Sequence, residues 1–140
     1  MLVNIIITIF LIIVILLIIF CPGANDGEDA SFTHAKKEVL KNFKVTAYCP
    51  GACCNGKRYA GRVAIGRGME YWLKQGYNIC AVDPKVIPLK SLVIYKGKSY
   101  LAADTGSKVK GKHIDILLET HKKTVKFGVK KNQTIAVISY

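Results

Sequence analysis

Acidic residues are scarce in this chain. Its 140 residues include nine Asp or Glu against 21 Lys or Arg, a formal net charge of +12. After Glu38 only five acids remain, Glu70, Asp83, Asp104, Asp115 and Glu119, against nineteen basic residues. Scarcity makes those five informative. Charge of either sign is absent from Leu2–Phe20, where Asn4 and Thr8 are the only polar side chains. That run excludes a uniformly soluble chain. No internal repeat is visible, and the length excludes a multidomain assembly, since domains commonly run to about 100–200 residues. Recognition helices, zinc-finger spacings and aromatic RNA-binding motifs are also lacking, so the basic balance does not indicate a nucleic-acid partner.

The apolar segment just reaches the roughly 20 residues needed to cross a bilayer. No basic residue precedes it, and Cys21-Pro22-Gly23-Ala24 is a poor cleavage site. Residues 1–20 are therefore expected to be a hydrophobic helix, either a retained transmembrane anchor or a removed signal. Residues 21–41 are expected to be a polar linker, and 42–140 a single domain. The near flank is acidic (Asp26, Glu28, Asp29) and Lys36 is the first basic residue, so charge leaves the orientation open.

Cysteine is present five times, at positions 21, 49, 53, 54 and 80. Bulky Phe20 disfavours lipid modification of Cys21. Three readings of the domain cysteines stay open. Cys80 joins Cys49, Cys53 or Cys54 in a disulfide, the adjacent pair Cys53–Cys54 being sterically poor. Alternatively Cys49, Cys53, Cys54 and Cys80 hold zinc, or all are free buried thiols.

Alternation of apolar and β-branched residues predicts strands at 43–48, 79–82, 92–95, 99–103, 114–118 and 134–139, with a further short strand at 62–65. Pro50-Gly51 opens a loop over 50–61. A short helix is expected over 69–75, with Glu70 four residues before Lys74, and another over 121–127, capped by Thr120 and closed by Gly128. Lys96-Gly97-Lys98 reads as a hairpin turn. Six or seven short strands point to a small all-β barrel with one or two short helices.

Asp115 lies in the apolar run His113–Leu118. Alternation sends Ile114, Ile116 and Leu118 to the core and leaves Asp115 with His113 and Leu117 on the other face. A carboxyl in half-apolar surroundings is pushed up in pKa, which suits a general acid. Read alone, Asp104 and Asp83 are turn residues, and His113 and His121 are surface histidines. Tyr71 and Trp72 read as half-core residues or as a wall on which sugars stack.

Taken together, Ala81-Val82-Asp83-Pro84-Lys85-Val86-Ile87-Pro88-Leu89, Ala103-Asp104-Thr105-Gly106 and Val109-Lys110-Gly111-Lys112-His113-Ile114-Asp115 resemble the 3D domain, named for three aspartates. Thr46-Ala47-Tyr48-Cys49-Pro50 and Cys53-Cys54-Asn55-Gly56-Lys57 look like the start of many such domains, and Phe127-Gly128 matches a further position. The resemblance covers residues 43–138. It implies a six-stranded double-psi β-barrel, as in stationary-phase and spore muralytic proteins and the catalytic barrel of membrane-bound lytic transglycosylase A. The implied activity is cleavage of the MurNAc–GlcNAc β-1,4 bond of peptidoglycan with a 1,6-anhydro end, requiring no cofactor or metal. Asp115 would be the acid/base and Asp104 its neighbour, with Asp83, Gly106, Gly111 and Tyr48 supporting. Such a protein would work in the cell envelope, anchored with the domain outside, or secreted. Two positions depart from the family. Val63 stands in the place of a Thr, and Ser107 in the place of the second Gly after the Asp104 motif. The rival class is a wall-binding module without catalysis, as in expansin-like proteins.

Overall fold

The computed structural model describes residues 35–140; the expected anchor or signal, and the linker as far as residue 34, lie outside that range. Among the described residues no helix is long and apolar enough to cross a membrane. Six strands close into a barrel: β1 (Lys36–Tyr48), β2 (Ile79–Val82), β3 (Leu92–Tyr95), β4 (Lys98–Asp104), β5 (His113–Leu117) and β6 (Lys130–Ser139). Three short helices interrupt them: α1 (Ala52–Tyr59), α2 (Met69–Lys74) and α3 (His121–Phe127). Around the barrel the order is β1-β5-β2-β4-β3-β6. The pairs β1/β5 and β2/β4 run parallel and the other four antiparallel.

Alternating side chains divide the core in two. Phe43, Val45, Val82, Val93, Ile114, Ile116, Ile135 and Val137, drawn from β1, β2, β3, β5 and β6, fill the interior with Tyr100 and Ala102 of β4. On the opposite face of the β5-β2-β4 wall, Ile79, Ala81, Leu101, Ala103 and Leu117 pack with Tyr48, Val63, Met69 and Val109. Strand β2 is covered on both faces, which is why Ile79-Cys80-Ala81-Val82 is buried throughout. Val63 and Met69 before β2, and Val109 between β4 and β5, supply the second cover.

Local chemistry explains the turns. Lys96 and Gly97 both take left-handed φ (48° and 75°), the two-residue geometry whose twist suits a hairpin. Thr120 Oγ1 accepts from the Lys123 N–H at 3.3 Å at the start of α3, and Gly128 ends it at φ 66°. Lys74 and Glu70 pair at 2.9 Å along α2.

Four expectations need correction. Strand β1 starts at Lys36, inside the expected linker, because Lys36–Leu40 pairs antiparallel with Ile135–Ser139. The register then shifts between Leu40 and Phe43, with Asn42 at φ 64°. β6 likewise starts at Lys130, earlier than its apolar stretch suggests. The Cys-rich segment is helical rather than a loop. Cys54 and Asn55 N–H donate to the Gly51 carbonyl, and Gly56 (φ 70°) kinks the helix. Residues 62–65 make only a single bridge, Arg62 with Gly68.

Phe43 is fully buried at the barrel centre. Phe43→Ala is expected to lower unfolding free energy by about 3–5 kcal/mol, the usual range for deleting a buried aromatic, measured by urea denaturation.

Candidate functional site

Register across four neighbouring strands sets the site. Thr46 on β1 pairs with Asp115 on β5, Asp115 with Ala81 on β2, and Ala81 with Asp104 on β4. The four residues form one row. With about 4.8 Å between strands, the two Asp Cα atoms stand roughly 10 Å apart, with only the Ala81 methyl between them. Strict alternation would put Asp104 on the interior face with Ala102. A register slip between Cys80 and Ala81 instead brings Asp104 opposite Ala81. Bulges of this kind re-aim a side chain.

The carboxyls are held differently. Asp104 accepts three hydrogen bonds: Thr105 N–H at 2.8 Å, Tyr48 O–H at 3.1 Å and Ala64 N–H at 3.2 Å. Asp115 accepts from the Thr46 hydroxyl at 2.6 Å. Burial raises both pKa values, against the Thr105, Tyr48 and Ala64 donors at Asp104, and against Thr46, His113 and Lys44 at Asp115. The charge of Asp104 pushes Asp115 up further. Burial and then the Asp104 carboxylate raise the Tyr48 phenol, so it stays a donor.

His113 is not a surface residue. It is buried, with Nε2 at 2.9 Å from Thr46 Oγ1 and Nδ1 at 3.1 Å from the Lys108 carbonyl. Burial and the Lys44 ammonium lower its pKa.

Asp83 is a buried loop tie rather than part of the row. Its carboxylate accepts Gly111 N–H at 2.7 Å and Lys85 N–H at 3.1 Å, and these bonds hold its pKa low. Gly111 (φ 62°) sits in the left-handed region. Gly106 has no room for a side chain: an added Cβ would lie 2.8 Å from Val109 Cγ2. Together these hold the segment between Asp104 and β5. Ser107 does not take a left-handed φ, so the missing second glycine costs nothing there.

A cleft of about 630 Å³ opens at the Asp104 end of the row. Arg62, Val63, Asp104, Gly106, Lys110 and Cys54 line it. Asp115 lies beyond Ala81, not on the lining. Val63 offers methyl groups where the family has a hydroxyl. Tyr71 and Trp72 meet edge-to-face with centroids 5.2 Å apart, and Trp72 Nε1–H donates to the Gly66 carbonyl at 3.0 Å. Tyr71 is exposed, while Trp72 packs against the second core cluster.

Of the three readings left open for the cysteines, the free-thiol one fits in part, Cys49 and Cys80 being buried and Cys53 and Cys54 exposed. All four domain cysteines are free thiols. Cys80 sits in the barrel interior, where burial and then the Asp115 and Asp104 charges raise its pKa. It is thus out of the group with Cys49, Cys53 and Cys54, and the fourth member there is His121. Their ligand atoms lie within 4.8 Å of one another. Burial opposes a Cys49 thiolate, but hydrogen bonds from Cys54, Cys53, Gly51 N–H and His121 bring it down to about 7. Burial pushes Cys54 up to about 11.

Residues 78–139 match the family described as the 3D domain. The chain carries a 3D domain. All three of its aspartates fall within the matched span. Three proteins of Bacillus subtilis (strain 168) are similar. YabE, named provisionally for cell-wall shaping, is 37% identical over 116 residues, 82% of this chain and 27% of its own length. YocH, named a cell wall-binding protein, is 43% identical over 95 residues, 67% of this chain and 32% of its own. The SPbeta prophage-derived protein YorM is 39% identical over 89 residues, 61% of this chain and 35% of its own. The chain therefore spans about a third or less of each relative.

Thr46 and Ala81 complete the row and His113 backs it through Thr46; sequence reasoning assigned none of the three to the site. The available signal was period-two spacing: Thr46 lies two residues before Tyr48, on its face of β1.

The depressed Asp83 pKa carries a pH signature. Its carboxylate stabilises the fold above the ordinary carboxyl pKa, and that stability is lost as pH falls through its lower folded value. Asp83→Asn, which turns a donor toward backbone N–H, is expected to lower Tm at neutral pH, with the deficit shrinking toward strong acid. Thermal melts across that range check this.

Proposed function

We propose that this domain cleaves the glycan strand of peptidoglycan at the MurNAc–GlcNAc β-1,4 bond, leaving a 1,6-anhydro end. The observation that carries the reading is the pair of unequally held carboxyls, Asp115 and Asp104, set on either side of Ala81 in one row. The 3D match and the wall-related names of YabE and YocH support a cell-wall function. The parallel pairs β1/β5 and β2/β4 in a six-strand closure support the double-psi form of the barrel.

The two carboxyls divide the work through their environments. Asp104, with three donors, is the better carboxylate. Asp115, with one donor and a like charge nearby, is the better acid. Protonated Asp115 gives its proton to the bridging oxygen as the C1–O bond breaks. The C6 hydroxyl of the same sugar then bonds to C1 and loses its proton to the Asp115 carboxylate, which restores the acid. Attack within one sugar ring avoids the entropy of capturing a water. Asp104 keeps a negative charge beside the proton donor and opposite the cationic sugar. Arg62 and Lys110 on the cleft, with the net charge of +12, favour an anionic wall as the surrounding. The site of action is then the cell envelope, outside the membrane.

The YocH name favours a second reading, a wall-binding module that cuts nothing. Products separate the two: incubation of the chain with purified wall yields anhydro-muropeptides under the first and none under the second.

Asp115→Asn is expected to reduce product formation by about 10²–10⁴-fold, since an amide cannot pass the proton. Wild-type activity should fall as pH rises through the raised Asp115 value. The same shift has a stability consequence of definite sign. A raised carboxyl stabilises the fold while protonated, and that contribution is lost as pH climbs from the ordinary carboxyl value through the raised one. The Asn variant never ionises, so its Tm should overtake that of wild type toward neutral pH. Full activity in a folded Asn variant would remove Asp115 from the chemistry.

A further inference from the structure

We propose that Cys49, Cys53, Cys54 and His121 form a tetrahedral zinc site that joins the α1 segment to the start of α3. The site stands apart from the carboxyl row and does not depend on what that row does. Cys49 Sγ is 3.2 Å from both Cys53 Sγ and Cys54 Sγ, and Cys54 Sγ is 3.6 Å from His121 Nδ1. All four ligand atoms lie within 4.8 Å of one another. Zn–S bonds of about 2.3 Å at tetrahedral angles place sulfurs roughly 3.8 Å apart, so a small outward shift admits the ion. A disulfide between Cys49 and either neighbour would use two of these groups. It gives no reason for a third thiol and an imidazole, 67 residues from Cys54, to converge on the same point.

Local structure prepares the ligands. Asn55 Nδ2 donates to the Cys49 carbonyl at 2.7 Å, and Cys54 N–H to the Gly51 carbonyl at 3.2 Å, which folds the thiols onto one side of the turn. Thr120 caps α3 and fixes His121 as its first residue. Cys49 is buried while Cys53, Cys54 and His121 are exposed, so the ion has a floor and an entry path. Binding is not a redox step: three thiols release their protons to solvent and three thiolates with Zn²⁺ leave a net charge of −1. Basic residues flank that charge in sequence, Lys57 on α1 and Lys122 on α3. The role is structural. Four protein ligands close the coordination sphere, and the chemistry of zinc-bound water needs an open position. Since Cys54 and Asn55 also line the cleft, the ion would fix that wall.

The test uses the full chain, reduced and metal-free, titrated with Zn²⁺ and with Co²⁺. One equivalent is expected to bind, and cobalt should give the strong visible bands of a tetrahedral ion with thiolate charge transfer. Lost second-sphere partners already cost about 10–100-fold in affinity, so His121→Ala should weaken binding by more than about 100-fold. His121→Cys should restore a tetrahedral spectrum. Cys80→Ala should leave stoichiometry and spectrum unchanged. Circular dichroism of each variant checks that the barrel is intact. The proposal is overturned if the reduced chain retains no metal. It is equally overturned if Co²⁺ binding ignores His121 or requires Cys80, or if a Cys49 disulfide persists with zinc present.

Discussion

A strand of four residues cannot leave its backbone unpaired when both of its faces are buried. Ile79–Val82 meets that constraint by pairing antiparallel with β5 on one edge and parallel with β4 on the other. Buried peptide groups that lack partners are costly, so neither pairing can drift. The register of this short strand therefore fixes which residues of β4 and β5 lie level with Ala81. Asp104 and Asp115 are those residues. The site depends on the most completely buried backbone in the barrel rather than on the loops above it.

Much of this was legible from sequence because the signals were local. The hairpin turn, the Thr120 cap, the α2 helix and the apolar alternation of β5 each follow from residues within one short window. The placement of Asp115 opposite the interior face also followed from alternation alone. Asp104 was harder, since the register slip that re-aims it depends on the partner strand. The N-terminal part of β1 was unreadable for a similar reason: Lys36 and Lys37 look like linker until β6 supplies their pairing. The burial of His113 is not legible locally, since its hydrogen-bond partners, Thr46 and the Lys108 carbonyl, are not adjacent in sequence. His121 could not be associated with the cysteines for want of any local link.

Composition and structure agree on how the scarce acids are used. Glu70 and Glu119 form exposed pairs with lysines four residues on. Asp83 ties backbone, and Asp104 and Asp115 are half-buried on the face of the second core cluster. A chain with many basic residues could neutralise its acids cheaply at the surface. It instead keeps two of them away from any direct ion pair among the described residues, where desolvation sets their behaviour.

Hydrogen counting along Asp115–Thr46–His113–Lys108 has a consequence for where a proton can reside. With Asp115 ionised, the Thr46 hydroxyl hydrogen points to it, and His113 Nε2 must then donate to Thr46. Nδ1 faces a carbonyl, which can only accept. The ring then carries both hydrogens and is an imidazolium. With the proton on Asp115 the Thr46 hydroxyl turns about, and His113 is neutral with its one hydrogen on the Lys108 carbonyl. The lowered His113 and raised Asp115 values both favour this second arrangement. The carboxyl and the imidazole thus share a single proton through one rotating hydroxyl, and a half-buried threonine acts as the switch between two tautomers of the whole chain.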